Sequence, residues 1–178
     1  MSSRPIYKNP FRFNVSPAEI DAGEDFCGTG AVHAIGPARI LQRGVPSHTS
    51  TFGNTLSSYV ITEGPLKGLT VFFAEHYNLS GTFKAGDHVD ASTKLYDMNG
   101  CIEIGIATSD GSGSLAWNGQ GYKEGESSRL GVNIADLLSV LGAPRGPLRG
   151  ALVGTLPRWI PARSRAGYKR LLKDWIKP

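Results

Sequence analysis

Two cysteines are the side chains of this sequence with the most reactive chemistry. Cys27 and Cys101 are the only cysteines among 178 residues, and two cysteines are too few to form a metal-binding framework by themselves. Cys27 follows Asp25 by two positions, and residues spaced by two lie on the same face of a strand. We interpret the cysteines as buried thiols that pack as small hydrophobic side chains, and leave open whether they pair.

Short strand-like segments surround these residues. Residues 59–62 and 69–74 are apolar runs separated by a segment rich in glycine and proline, a pattern that predicts a β-hairpin. Residues 94–97 and 101–105 are predicted as two further strands. Residues 32–35 and 38–43 are predicted to pair as a hairpin about Gly36 and Pro37.

The order of five motifs points to a known family. The motifs are DAGEDF at 21–26, GTGAVHAIG at 28–36, FFAEH at 72–76, FKAGDHV at 83–89 and NGCIE at 99–103. Their order resembles the lysostaphin-type (LytM-like) peptidoglycan zinc metallopeptidases over residues 10–108. The resemblance implies a mainly β fold, an antiparallel split barrel built from a duplicated hybrid motif, to which this chain adds a short helix and a basic C-terminal helix.

The resemblance also indicates which residues would line the family's site. It places Asp21, Asp25 and Cys101 at the three zinc-ligand positions, of which only Asp25 carries the family's own residue type. Asn99 replaces one catalytic histidine, and His76, the candidate for the other, lies one position late. Under this alignment Cys27 and Cys101 are neighbours. The implied binding groove consists of Asp21, Asp25, Glu75, His76, Asn99 and Cys101.

Because so few ligand residues are retained, no cofactor is expected. Zinc held by Asp21, Asp25 and Cys101 is the alternative.

Length and local signals divide the chain into four parts. Its 178 residues suffice for one domain with a core plus an appendage. The predicted parts are an extended arm at 1–15, the lysostaphin-like β domain at 16–117, a loop and short helix at 118–142, and a Pro/Gly-rich linker followed by a basic helix at 143–178.

Capping patterns add finer predictions. Residues 16–19 (SPAE) carry the signature of a short helical turn, and residues 115–117 are predicted as a last strand. Apolar spacing predicts a helix over 133–141, with Asn133 as its cap and Gly142 as its stop, while Ser127 and Ser128 are further cap candidates.

The C-terminal region carries a strong excess of basic over acidic residues. The whole chain has a formal net charge of +4, yet residues 143–178 contain nine Lys or Arg and one acidic residue. An amphipathic helix is predicted over 163–177. Its apolar stripe must be covered, either by the chain's own core or by a neighbouring subunit. The predicted assembly residues, with Trp175 as the anchor, are Trp159, Tyr168, Leu171, Leu172, Trp175 and Ile176.

Three functions compete at this point. The first is a catalytically inactive relative of the peptidases that acts as a structural or wall-binding protein in the tail or tail tip of a phage virion. Its partners would be other proteins or copies of itself in a larger assembly, with peptidoglycan as a further ligand. The second is an active zinc endopeptidase with the unusual Asp/Asp/Cys ligand set. The third is binding of nucleic acid or a membrane surface by the basic helix.

The sequence encodes neither a signal-peptide pattern nor a long apolar segment. Synthesis in the cytoplasm followed by incorporation into a virion is therefore expected.

Overall fold

The computed structural model describes residues 6–45, 56–79 and 83–176. Within them the fold is mainly β, with one seven-stranded antiparallel sheet, a separate pair of short parallel strands and two α-helices. The elements in chain order are β1 Ser16–Ile20, β2 Glu24–His33, β3 Ala38–Val45, β4 Leu56–Ile61, β5 Thr70–Leu79, β6 His88–Val89, β7 Lys94–Ile106, β8 Ser127–Ser128, α1 Arg129–Val140, β9 Leu152–Val153 and α2 Arg165–Leu172.

The large sheet has the strand order β1-β2-β7-β5-β4-β3-β6. The predicted hairpin of β4 and β5 is confirmed, with a short 3-10 turn at Gly64–Leu66 between its strands. The predicted hairpin about Gly36 and Pro37 is wrong, because β2 pairs with β1 and β7 whereas β3 pairs with β4 and β6. The chain therefore crosses the sheet between β2 and β3.

Strand β7 joins two segments that the sequence separates. Asn99 and Gly100 form a typical turn dipeptide, but β7 runs through them and pairs with β2 without a break from Ile104 to Tyr96. Gly100 has a φ of 125°, which a residue with a side chain rarely adopts. On the other side of β7 the register with β5 shifts between Glu75 and Tyr77. Glycine thus absorbs an irregularity inside the strand.

Residues 16–19 form the edge strand β1, so the predicted helical turn is wrong. Ser16 and Pro17 pair with Cys27 and Phe26 of β2. Proline cannot donate a ladder hydrogen bond, and an edge strand tolerates this because it has a neighbour on one side only. Cross-strand pairing therefore overrides the local capping signal.

Helix α1 begins earlier than the apolar spacing predicts. Ser128, one of the predicted cap candidates, is the N-cap, and its Oγ accepts a hydrogen bond from Gly131 N at 2.7 Å. The prediction of Asn133 as the cap is wrong, since Asn133 is a buried residue inside the helix. The stop at Gly142 is confirmed by its φ of 104° just beyond the helix.

Helix α2 docks on the chain's own core. Tyr168 and Leu172 are fully buried, and Tyr168 Oη donates to Asn133 Oδ1 at 2.6 Å. Asn133 Nδ2 in turn donates to Ala162 O at 2.8 Å, which fixes the chain just before α2. Leu171 and Ile176 pack partly buried against the same core. Apart from Trp175, the apolar stripe is therefore covered within the chain.

The segment between the helices lies along the body instead of leading away from it. Ile20 N donates to Pro147 O at 2.7 Å, and Arg149 N donates to Ile20 O at 3.2 Å. Further along, β9 pairs in parallel with β8. Residues 143–161, predicted as a linker, thus hold Arg149 against β1.

The N-terminal arm docks as well, in the part of it that the structure describes. Tyr7 and Phe11 are buried, and the backbone N–H groups of Ile6 and Tyr7 both donate to Trp175 O. Residues 1–5 of the predicted arm, and Lys177 of the predicted helix, lie outside the described residues. The predicted strand at residues 115–117 is wrong, because these residues form a turn that follows the isolated bridge between Ala107 and Ser114.

Candidate functional site

The turn from β1 to β2 gathers three carboxylates. Glu19 lies on β1, Asp21 in the turn and Asp25 on β2, and one oxygen of each lies within 4.8 Å of the others. Asp21 Oδ1 accepts from Gly23 N at 3.2 Å, which closes the turn. The turn needs glycine at position 23, because a Cβ there would lie 2.4 Å from Ile104 O. We call Glu19, Asp21 and Asp25 the acidic triad.

A fourth carboxylate lies behind the triad. Glu103 of β7 is the cross-strand partner of Asp25 and is only 3% exposed. Its Oε1 lies against Gly23, between Asp21 and Asp25 in the chain. No hydrogen-bond donor reaches that oxygen from the described part of the chain.

Burial changes the protonation of this group of carboxyls. Burial, followed by the charges of Asp21 and Glu75, raises the pKa of Asp25 to about 8. Burial, followed by the charges of Asp21, Asp25 and Glu75, raises the pKa of Glu103 well above its usual range, against the opposing effect of the nearby Gly23 N–H. Burial also raises the pKa of Asp21, against the opposing effects of its hydrogen bond from Gly23 and the charge of Arg149. At neutral pH the cluster therefore retains protons that isolated carboxyls would lose.

Arg149 is the cation of the cluster. Its guanidinium lies 3.4 Å from Glu19 Oε1 and 3.5 Å from Asp21 Oδ2, and it also pairs with Glu124. The pairs are partly exposed, so each contributes little to stability. A single guanidinium offsets only part of the negative charge of the triad and Glu124.

Tyr122 closes the other side of the cluster. It is 6% exposed, and its hydroxyl has no hydrogen-bond partner among the described residues. Burial, followed by the charges of Asp21 and Glu124, raises its pKa. Its ring packs edge-on against Trp117, with the centroids 4.6 Å apart. Tyr122 thus presents a neutral hydroxyl among carboxyl groups.

A disulfide bond occupies the next position along the same strand pair. Cys27 and Cys101 are directly opposed on β2 and β7 and are bonded to each other. The prediction that they are neighbours is confirmed, whereas their interpretation as free thiols is wrong. Alternation places them on the same face as Asp25 and Glu103.

The bond removes Cys101 from any ligand set. Zinc needs a deprotonated, unbonded sulfur, and the Cys101 sulfur is shared with Cys27. The residues at the three zinc positions of the resemblance therefore do not fit zinc.

In comparisons with known proteins, no protein-family model and no curated protein matched the chain.

The structure brings together part of the predicted groove. Glu75, on β5 and with a left-handed φ of 82°, is close enough to act electrostatically on Asp25. Asn99 precedes Cys101 by two residues, and its Oδ1 accepts a hydrogen bond from Thr29 Oγ1 at 3.3 Å at an exposed position. His76 lies in β5, and its side chain lies outside the described part of the structure.

The predicted assembly residues separate into two groups. Tyr168, Leu171, Leu172 and Ile176 pack against the chain's own core, whereas the Trp159 side chain is 52% exposed and that of Trp175 is 36% exposed. Trp175 also packs at 6.3 Å from the Tyr7 ring. Of the predicted assembly residues, therefore, only the two tryptophans offer substantial area to a partner.

Sequence reasoning missed Glu19, Glu103, Tyr122 and Arg149 as members of the cluster. Glu103 could have been found from the register of β2 against β7, which sets it opposite Asp25. Arg149 gave no signal, because it reaches the cluster only through the path of residues 143–161 along β1.

Within the described residues, neither helix combines the length and the apolar character needed to cross a membrane.

Proposed function

We propose that this chain is a non-hydrolytic, peptidase-like module that works as a structural or wall-binding part of a larger assembly. The observation that supports this best is the bond between Cys27 and Cys101. It engages the residue that stands at the third zinc position of the lysostaphin-type resemblance. Without that ligand, the chain lacks the donor set that a zinc peptidase uses to activate water.

The proposal is also consistent with the residue at position 99, where the resemblance places a catalytic histidine. Asn99 is exposed and hydrogen-bonded to Thr29, and a neutral amide cannot act as a general base. Asp25 and Glu103, beside the turn, are carboxyl groups with raised pKa values. These groups can bind a ligand by hydrogen bonds without hydrolysing it.

The assembly that we propose is a bacteriophage tail. A disulfide persists in oxidising surroundings such as a virion surface and is rare in the reducing cytosol. A virion is assembled in the cytoplasm and then acts outside the cell, where the disulfide is stable. Trp159 and Trp175, both exposed, are the proposed contacts for a neighbouring subunit.

A digestion and sedimentation experiment tests the proposal. Purified protein with its disulfide intact, supplied with zinc, is incubated with peptidoglycan sacculi, and the released amines are counted. We expect no release above that of an Asp25→Asn variant, and co-sedimentation of the protein with the sacculi if the groove binds wall. Hydrolysis that depends on Asp25 contradicts the proposal and restores the active endopeptidase.

The assembly role has its own readout. Mass photometry or sedimentation velocity of wild type and of a Trp159→Ser variant reports self-association. We expect the wild type to associate more strongly, because the exposed indole is the apolar contact that the variant loses. Equal, purely monomeric behaviour would leave a partner subunit as the only possible target, to be tested by capture on purified tail particles.

One observation favours a second function. Because the apolar side of α2 is covered by the core, Lys169, Arg170 and Lys173 all face solvent. Such a basic surface suits phosphate groups of nucleic acid or anionic lipid. Binding to duplex DNA and to anionic vesicles is measured over a salt series with wild type and with a variant in which all three are Gln. A steep salt dependence that the triple variant flattens supports this function, and its absence excludes it.

A further inference from the structure

We propose that the acidic triad binds a divalent cation that prefers oxygen ligands, with calcium or manganese as the matching class. Oxygens of Glu19, Asp21 and Asp25 converge within 4.8 Å of one another. Two ligands on opposite sides of a calcium ion, each at about 2.3 to 2.6 Å from it, lie about 5 Å apart. The spacing of the triad is therefore that of a first coordination shell with little rearrangement.

A second observation points to a cation in the same place. Glu103 is 3% exposed, and its Oε1 has no donor in the described structure. That oxygen touches Gly23, the residue that spaces Asp21 from Asp25. A buried carboxyl oxygen without a partner is costly, and a cation bound in front of it would displace any retained proton and supply the missing partner.

Tyr122 adds to the same arrangement. Its buried hydroxyl also has no partner among the described residues, and it interacts electrostatically with Asp21 and Glu103. A hydroxyl oxygen is a further hard donor, either directly or through a water molecule bound to the ion. The Glu103 Oε1 and the Tyr122 hydroxyl, neither of which has a hydrogen-bond partner among the described residues, therefore lie beside the three converging oxygens of the acidic triad.

The donor chemistry selects the ion. All the donors are oxygens, because the sulfur of Cys101 is bonded to Cys27 and the triad includes no histidine. Carboxylate sets suit magnesium, calcium and manganese, whereas zinc sites usually include nitrogen or sulfur. The proposed site therefore differs from the zinc set of the family resemblance both in its third ligand, Glu19, and in its metal.

Arg149 makes the proposal specific. Its guanidinium pairs with Glu19 and Asp21 at 3.4 and 3.5 Å. Its positive charge therefore neutralises part of the negative charge of the triad, as a bound cation would, and it also repels an incoming cation. Removing its charge with Arg149→Gln should change stability little without metal, because the pairs are partly exposed, and should strengthen cation binding. A purely structural ion-pair cluster predicts no gain in binding.

The experiment uses the full chain, freed of metal with a chelator, at pH 7.5. Melting temperature and binding heat are measured with calcium, manganese, magnesium and zinc chlorides. At a free concentration of about 100 times the dissociation constant, we expect calcium or manganese to raise the melting temperature by about 5 to 10 °C. Asp25→Asn and Glu19→Gln should lose that rise, and Glu63→Gln, at an exposed position distant in sequence, should keep it.

Terbium luminescence gives a readout independent of folding stability. Terbium is a calcium analogue that emits when a nearby aromatic ring is excited, and Tyr122 with Trp117 lies beside the triad. We expect sensitised emission that calcium competes away, that Tyr122→Phe weakens only in part, since Trp117 remains, and that Asp25→Asn abolishes. Arg149→Gln should bind terbium several-fold more tightly.

Three results overturn the proposal. They are no heat and no melting shift with any of the cations, a shift that the triad variants retain, and a shift produced by zinc alone. The outcome is separate from the proposed lack of hydrolysis, because sacculus digestion can fail or succeed whether or not calcium binds.

Discussion

Removing the disulfide is expected to cost this protein a large share of its stability. The bond joins residues 74 positions apart, so in the unfolded chain it closes a long loop. The chain-entropy relation for a loop of that length gives about 4 kcal/mol of stabilisation at 25 °C. Typical domains have a total free energy of unfolding of about 5 to 15 kcal/mol. The variant Cys27→Ala with Cys101→Ala should therefore stay folded, with a free energy of unfolding that is lower by about 4 kcal/mol.

Urea unfolding followed by tryptophan fluorescence measures this cost. Wild type is unfolded with and without a dithiol reductant, and the double alanine variant under the same two conditions. We expect reduction to lower the midpoint of wild type to near that of the variant, and to leave the variant unchanged. Because the cross-link also limits how far the unfolded chain expands, the slope with urea should rise when it is removed.

Two outcomes would refute this reasoning. A cost below about 1 kcal/mol would mean that residual structure already constrains the unfolded chain, so that the bond removes little further entropy from it. A reduced wild type that gains stability from zinc, while the alanine variant does not, would show that the freed Cys101 is a ligand. That second result would return the active zinc endopeptidase to consideration.

Three smaller perturbations test other parts of the structure. Tyr168→Phe removes the buried hydrogen bond to Asn133 and should cost about 1 to 3 kcal/mol by urea unfolding; no cost would mean that α2 is not fixed there. Burial raises the pKa of Glu24 from 4.5 to about 7, so the folded state favours its protonated form and stability should fall by about 3 kcal/mol as pH rises from 4 to 8. Glu24→Gln should remove that part of the slope in a pH series, and an unchanged slope would assign the effect to other groups. Gly23→Ala places a Cβ 2.4 Å from a backbone oxygen of β7 and should lower the melting temperature by a few degrees, at a cost of about 1 to 3 kcal/mol; an unchanged melting temperature would show that the turn can relax.

Local pattern was sufficient where neighbours in sequence are neighbours in space. The β4–β5 hairpin and the stop of α1 at Gly142 follow from turn residues and apolar spacing, and both occur as predicted. Pattern failed where distant pairing decided the outcome. Pro17 forms part of an edge strand because β2 lies beside it, and Asn133 is enclosed by residues that follow it by 29 and 35 positions.

The candidate site divides in the same way. Asp21 and Asp25 are close in sequence, and the structure places them together. The disulfide, Glu103 and Arg149 depend on which strands pair and on how residues 143–161 return to β1. The family resemblance made Cys27 and Cys101 neighbours and left open whether they pair, and the register of β2 against β7 sets them directly opposite each other.

The contact between the N-terminal arm and Trp175 also determines when the molecule can finish folding. The hydrogen bonds that Ile6 and Tyr7 donate to Trp175 O cannot form until the ribosome has made both ends of this contact. At common rates of synthesis the interval between Tyr7 and Trp175 lasts about 10 to 30 s. During this interval the N-terminal arm lacks its contact with Trp175, and its aromatic side chains are accessible to chaperones. A stalled or shortened chain would therefore expose this arm, and its exposure would distinguish incomplete chains from complete ones.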